Sequence, residues 1–113
     1  MGAAPVSVVE TPDFLAACRK HLDDNERDRL VDYLAHNPEA GVLIPGTGGV
    51  RKLRWALRGR GKRGGARVIY YFHSERIPLY VLKFYAKNEK SDLRGDEIIR
   101  LRAVVKAIAS TTQ

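Results

Sequence analysis

The sequence predicts an α+β fold, β-α-α-β-β-β-α, in which two N-terminal helices and one C-terminal helix flank an antiparallel sheet. Three observations predict it. Apolar residues recur at helical spacing from Phe14 to Ala35 and again from Ile98 to Ile108. Between them, over 52–58, 66–72 and 77–86, the apolar period falls to two or the segment is rich in β-branched and aromatic residues. The connections among these three segments are short, which favours sequential neighbours that run antiparallel. With 113 residues, 44% of them hydrophobic, the span 1–113 reads as one domain with room for a true core.

Val6, Val8 and Val9 make a short extended opening. Thr11-Pro12 then reads as an N-cap with proline at the first helical position. Phe14, Ala17, Cys18 and Leu22 form the buried stripe of the first helix, so Cys18 is a small core hydrophobe rather than a nucleophile. Asp23 and Glu26 have the spacing of a capping box, and Leu30, Val31, Leu34 and Ala35 supply the stripe of a second helix ending at Asn37-Pro38. Residues 39–49 are a Gly/Pro-rich connection. In 52–58, Leu53, Trp55 and Leu57 alternate with Lys52, Arg54, Ala56 and Arg58, which gives one apolar and one cationic face. The loop Gly59 to Gly65 carries Arg60, Lys62 and Arg63 among its glycines. Strand Ala66 to Phe72 follows, then a turn His73 to Arg76, then strand Ile77 to Ala86 with Pro78 at its start. Ile98, Ile99, Leu101, Val104, Val105 and Ile108 mark the last helix.

One cysteine excludes a disulfide framework and a four-cysteine zinc site, and suits a reducing compartment. No apolar run approaches the ~20 residues of a membrane span, and no basic-then-apolar leader opens the chain, so a soluble, cytoplasmic protein is expected. The net charge is +7, unevenly placed: residues 1–39 hold four cations and eight acids, residues 40–74 eight cations and no acid. Charge this concentrated repels itself and calls for a polyanionic partner.

Two phosphate-loop look-alikes fail on context. Gly59, Gly61 and Gly64 match the dinucleotide fingerprint, but a strand follows where a helix must. Gly41 to Gly46 has phosphate-loop spacing, but Thr47 stands where lysine is required. His21, His36 and His73 are scattered surface histidines without metal-ligand spacing, and Glu89 and Asp92, at the lead-in to the last helix, read as capping or macrodipole residues. No metal and no cofactor are expected. What remains is a basic constellation: Lys52 and Arg54 on one strand, Arg60, Lys62 and Arg63 in the loop, Arg67 on the next strand and Lys87 after the third. Arg67 lies opposite Val68, Tyr70 and Phe72 and so faces an open side with Lys52 and Arg54. Of Tyr70, Tyr71, Tyr80 and Tyr85, most fill the core, and any that point outward can stack on bases.

Three segments carry a resemblance: Ile44-Pro45-Gly46-Thr47-Gly48-Gly49-Val50-Arg51-Lys52, Gly61-Lys62-Arg63-Gly64-Gly65-Ala66-Arg67-Val68-Ile69-Tyr70-Tyr71, and Tyr85-Ala86-Lys87-Asn88-Glu89-Lys90-Ser91-Asp92-Leu93. In this order they resemble the HigB branch of the RelE/ParE toxin superfamily, over nearly the whole chain from Thr11. The resemblance implies a type II toxin: a metal-independent endoribonuclease that cuts mRNA in the ribosomal A site. Its partners would be the ribosome with its mRNA and a tightly bound antitoxin, expected to be of the helix-turn-helix type, with operator DNA reached only through that antitoxin. It also makes Arg67 the phosphate-contacting arginine, Lys52 and Arg54 the basic pair on the preceding strand, and Lys87 the basic residue after the last strand. Arg51, Arg58, Arg60, Lys62, Arg63, Tyr85 and Lys90 are the expected RNA or ribosome contacts. Where RelE-type relatives carry a catalytic tyrosine, this chain reads Leu93-Arg94-Gly95. Proton transfer therefore falls to Lys87 or Lys52, since a lysine crowded by cations releases its proton more readily. A ParE-type gyrase poison of the same fold, against which the basic sheet argues, and a non-catalytic RNA-binding module are the alternative readings.

Overall fold

The computed structural model describes residues 4–57 and 64–111. Its elements are β1 (Val8–Glu10), α1 (Pro12–Cys18), α2 (Asp24–His36), β2 (Val42–Leu43), β3 (Val50–Trp55), β4 (Ala66–Tyr71), β5 (Leu79–Ala86) and α3 (Gly95–Thr111). The strands form one sheet in the order β1-β5-β4-β3-β2, so the fold is α+β as the periodicities predict.

Element ends shift, α1 stopping at Cys18 short of Leu22 and β3 covering Val50–Trp55 rather than 52–58, and the sheet differs from the expectation in two further ways. The sheet is mixed, because β1 pairs with β5 in parallel, Val8 opposite Leu79 and Glu10 opposite Val81. About seventy residues separate these two strands, so the short-connection argument does not govern them. The second difference is β2, which the Gly/Pro-rich stretch conceals: Val42 and Leu43 pair antiparallel with Lys52 and Arg51. Two residues are too few to show a period. Thr47 secures the hairpin from within, its buried hydroxyl donating to the Ile44 carbonyl at 2.7 Å and accepting from the Val50 amide at 3.1 Å. Gly48 and Gly49, at φ +83° and +125°, make the turn that side chains would strain.

The caps form where the sequence places them. The Thr11 side chain accepts from the Phe14 amide and its hydroxyl donates to the Val81 carbonyl at 2.8 Å, so one residue starts α1 and ties it to β5. Asp23 and Glu26 form a reciprocal capping box on α2. α2 ends at His36, with Asn37 as its cap just ahead of Pro38.

Both faces of the sheet are covered. On one, Phe14, Cys18, Leu30 and Leu34 of α1 and α2 pack on Val68, Tyr70, Val81 and Phe84. On the other, Leu101, Val105 and Ile108 of α3 pack on Val50, Ile69, Tyr71 and Leu82. Burying each large apolar side chain contributes about 1.5–3 kcal/mol, and β4, covered from both sides, is buried at every position. Ile99 and Val104 share the helical spacing but face outward. Cys18 is buried and burial pushes its thiol up to about 12, with the nearby Arg27 charge pulling down and Glu10 pushing up, so the thiol is inert. His21 departs from the surface role expected of it: its side chain is 8% exposed, packs against Phe84 and bonds Glu89 at 2.9 Å.

Candidate functional site

Alternation along β3 sends Leu53 and Trp55 toward α1 and α2, and Val50 toward α3. Lys52 and Arg54 therefore share the face that α3 partly covers. The same rule on β4 puts Arg67 on that face with Ile69 and Tyr71, opposite Val68 and Tyr70. Arg54 and Arg67 are register partners.

β5 joins this row through an irregularity. Tyr70 pairs with Val81 but Ile69 pairs with Lys83, so Leu82 is an extra residue on β5. This bulge resets the alternation. Without it Phe84 would fall opposite Arg67; with it, Tyr85 does. The result is a cross-strand row Arg54, Arg67, Tyr85, with neighbouring strands about 5 Å apart.

The ladder runs on past Ala86, whose partner is Ala66, to Lys87, whose amide donates to the Gly65 carbonyl at 2.9 Å. The Lys87 side chain passes close to Gly64, where a Cβ would stand 2.8 Å from its Cγ. Gly65 is required for a second reason: at φ +59°, a Cβ there would lie 2.5 Å from the Trp55 carbonyl oxygen. The two glycines thus bring the start of β4 against both β3 and Lys87.

Arg67 lies on the expected face but is not an exposed cation. It is 7% exposed, and its Nη1 donates to the Gly64 carbonyl at 2.6 Å and the Ala66 carbonyl at 3.2 Å. The face it was expected to find open carries α3. Among the described residues no hydrogen bond uses its Nε or Nη2, which leaves that edge of the guanidinium for a ligand.

The lysines are held by acceptors of the segment leading into α3 and of its first turn. Lys52 Nζ lies 3.3 Å from Asp92 Oδ1, Lys87 Nζ donates to the Ser91 carbonyl, and Lys90 Nζ bonds Glu97 while standing 5.7 Å above the Tyr85 ring. The nearest charged neighbour of Lys52 is thus a carboxylate, the reverse of the cation crowding expected of it. The Leu93 amide, and then the Lys52 and Lys87 charges, outweigh desolvation and hold the Asp92 carboxyl below its ordinary value. Burial pushes the Glu97 carboxyl up, but Lys90 and the Arg94 amide more than offset this, and it too stays below its ordinary value. Tyr85 moves the other way: burial above all, then the Asp92 charge, raises its hydroxyl, with Arg67 opposing.

Lys52, Arg54, Arg67, Tyr85, Lys87 and Lys90 are therefore brought into one neighbourhood. Arg51 is not. It alternates to the other face, where its Nη1 donates to the Gly41 carbonyl at 2.7 Å and the Glu39 carbonyl at 3.2 Å, tying down the chain that follows α2. Arg58, Arg60, Lys62 and Arg63 lie outside the described residues. Of the capping or macrodipole role expected of Glu89 and Asp92, the capping half is not formed. Glu89 bonds His21, Asp92 meets Lys52, and Glu97 accepts from the Arg94 amide at the helix start. Glu97, three residues after Arg94, is the residue the sequence reading passed over; that spacing, as in half of a capping box, was the available signal.

Among the described residues no group of three or more His, Cys, Asp or Glu is placed to hold a metal ion, and no helix is long and apolar enough to cross a membrane. The structure is a small α+β domain, a sheet backed by helices on both faces, with Lys52, Arg54, Arg67, Lys87 and Lys90 gathered at one end of one face. A family model described as the RelE toxin of the RelE/RelB toxin–antitoxin system matches residues 13–113. Among solved structures the chain is similar to a mutant of the E. coli toxin RelE in the free state. The identity is 17% and the TM-score 0.57, over 85% of this chain and 96% of that one, a likeness of fold. The chain belongs to the RelE toxin family: it is the toxin of a toxin–antitoxin pair, and an antitoxin is its partner.

Proposed function

We propose that this toxin is a metal-independent endoribonuclease that arrests translation by cutting mRNA on the ribosome. The observation that carries the reading is the row Arg54, Arg67, Tyr85 with Lys52 and Lys87 beside it. Cleavage of RNA through its own 2′-hydroxyl needs a proton removed, developing phosphate charge stabilised and a leaving oxygen protonated. The 2′-oxygen attacks phosphorus and its proton passes to a lysine amine. The bond from phosphorus to the 5′-oxygen breaks, and that oxygen takes a proton from a lysine ammonium. The products are a 2′,3′-cyclic phosphate and a 5′-hydroxyl. Arg67 and Arg54 stabilise the charge on the non-bridging oxygens, Lys52, paired with Asp92, is the ammonium that protonates the leaving oxygen, Lys87 takes the 2′-hydroxyl proton, and Lys90 and Tyr85 contact the RNA.

Lysines are weak acid–base catalysts, and the ribosome supplies what the site lacks by holding the mRNA in the reactive geometry. The motifs around Gly46, Arg67 and Lys87 support the HigB branch for this chain, with a helix-turn-helix antitoxin that carries any operator DNA contact. Action on ribosomes places the toxin in the cytoplasm. The test is cleavage by purified toxin of mRNA on programmed ribosomes and of the same RNA naked. Cutting should be far faster on the ribosome, and stripping the purified toxin of metal by prior dialysis against a chelator should leave the rate unchanged. Equal cutting of both RNAs, or gyrase-linked DNA breaks with intact mRNA, would overturn the reading.

A further inference from the structure

Tyr85 is 8% exposed, and its hydroxyl oxygen is buried without a hydrogen-bond partner among the described residues. That is an expensive arrangement in a finished core, because an unsatisfied buried polar group loses its water and gains nothing. Phenylalanine would fill the same space without the cost. The hydroxyl belongs to the one tyrosine that the Leu82 bulge aligns with Arg67, in the row that also holds Arg54. The charged groups acting on it are Arg67, Asp92 and Glu97, yet it bonds none of them. Donors aimed at a reacting group are frequently unengaged until the ligand arrives.

We propose that the Tyr85 hydroxyl is a catalytic hydrogen-bond donor that engages a phosphate oxygen of bound RNA beside Arg67. The inference rests on the RNA-cleavage reading and adds a neutral donor to its cations. A donor is the role its surroundings permit, since burial and the Asp92 carboxylate keep the proton on the oxygen. Access comes by displacement of Lys90, whose ammonium stands over the ring and bonds Glu97 from a partly exposed stem; Glu97 then keeps the Arg94 amide as its donor. RNA phosphate is an attractive alternative partner for that ammonium.

The experiment compares wild type with Tyr85→Phe, which keeps the ring and removes only the oxygen. Three quantities are measured: the melting temperature, single-turnover cleavage on programmed ribosomes across pH 6–9, and binding by the free toxin of a short oligoribonucleotide made uncleavable by a 2′-deoxy sugar at the cut position. The variant should melt at or up to about 4 °C above wild type, because an unsatisfied group has been removed. Its cleavage should fall roughly tenfold to a hundredfold with an unchanged pH profile, and it should bind the oligonucleotide several-fold more weakly. Wild-type cleavage and affinity in the variant would overturn the proposal, as would a lowered melting temperature, which would give the hydroxyl a structural partner. If wild type fails to cut ribosome-bound mRNA, the cleavage reading falls, and with it the catalytic role; the oligonucleotide then decides whether Tyr85 still donates to RNA. No binding by wild type overturns this proposal too.

Discussion

Replacing Arg67 with alanine removes a side chain that the sequence alone would treat as a solvent-facing charge and that the fold has buried. Two hydrogen bonds go with it, one at 2.6 Å to the Gly64 carbonyl and one at 3.2 Å to the Ala66 carbonyl. Bonds to charged groups contribute about 1.5–3 kcal/mol each when well made, and here one is short and the other marginal, which sets the loss near 3 kcal/mol. Against this, Arg54 and Arg67 are cross-strand partners of like charge, and separating them returns up to about 1 kcal/mol. The net cost is about 2 kcal/mol, or roughly 8–12 °C in melting temperature for a domain of this size. Loss of a preorganised donor to the reacting phosphate lowers the rate by about 10²–10³ beyond any loss of folded protein. Arg67→Lys keeps the charge but not the planar fork, so stability and rate return only in part. The assay is thermal melting beside single-turnover cleavage on programmed ribosomes, at a temperature where both variants are folded. An Arg67→Ala protein that melts with wild type would refute the structural half of this reasoning, and one that cuts at the wild-type rate would refute the catalytic half.

Two further outcomes follow from the structure. Tyr70→Phe deletes the oxygen that accepts the Gly41 amide at 2.8 Å in the buried join between α2 and β2; the stranded donor should cost about 1–3 kcal/mol, and a melting temperature equal to wild type would show that the amide finds another acceptor. Acid should destabilise the fold through Glu97, whose folded pKa lies below its ordinary 4.5. The unfolded chain then takes up the proton first, so this stabilisation is complete above that value and is lost as pH falls below it. Melting from pH 7 to pH 3 should decline less in Glu97→Gln than in wild type, and parallel declines would remove Glu97 from the account.

Much of the local structure was legible because it rests on neighbours in the chain. Thr11-Pro12, the Asp23–Glu26 box and the end of α2 at Asn37-Pro38 involve atoms a few residues apart, and each forms as its spacing predicts. The alternation of Lys52 and Arg54 with Leu53 and Trp55, and of Arg67 with Val68, likewise needs only the pleat, so the shared face of Lys52, Arg54 and Arg67 was visible, and the same pleat sends Arg51 to the opposite face. The decisive arrangements depend on residues far apart in the chain. β1 runs parallel to β5 across about seventy residues, and β2 is held by pairing rather than by any pattern of its own. One extra residue at Leu82 makes Tyr85 rather than Phe84 the neighbour of Arg67, and nothing in the local spacing marks the bulge, because it exists only against β4. Burial is likewise a property of the assembled layers: α3 covers much of the face that Arg67 shares, and the outward step of a strand gives no account of a helix arriving from the other end of the chain. The pairing of Lys52 with Asp92, forty residues on, is of the same kind. Chain-local chemistry specifies which groups are present and which way each points. Packing between distant segments specifies which of them are neutralised, which are buried and which meet.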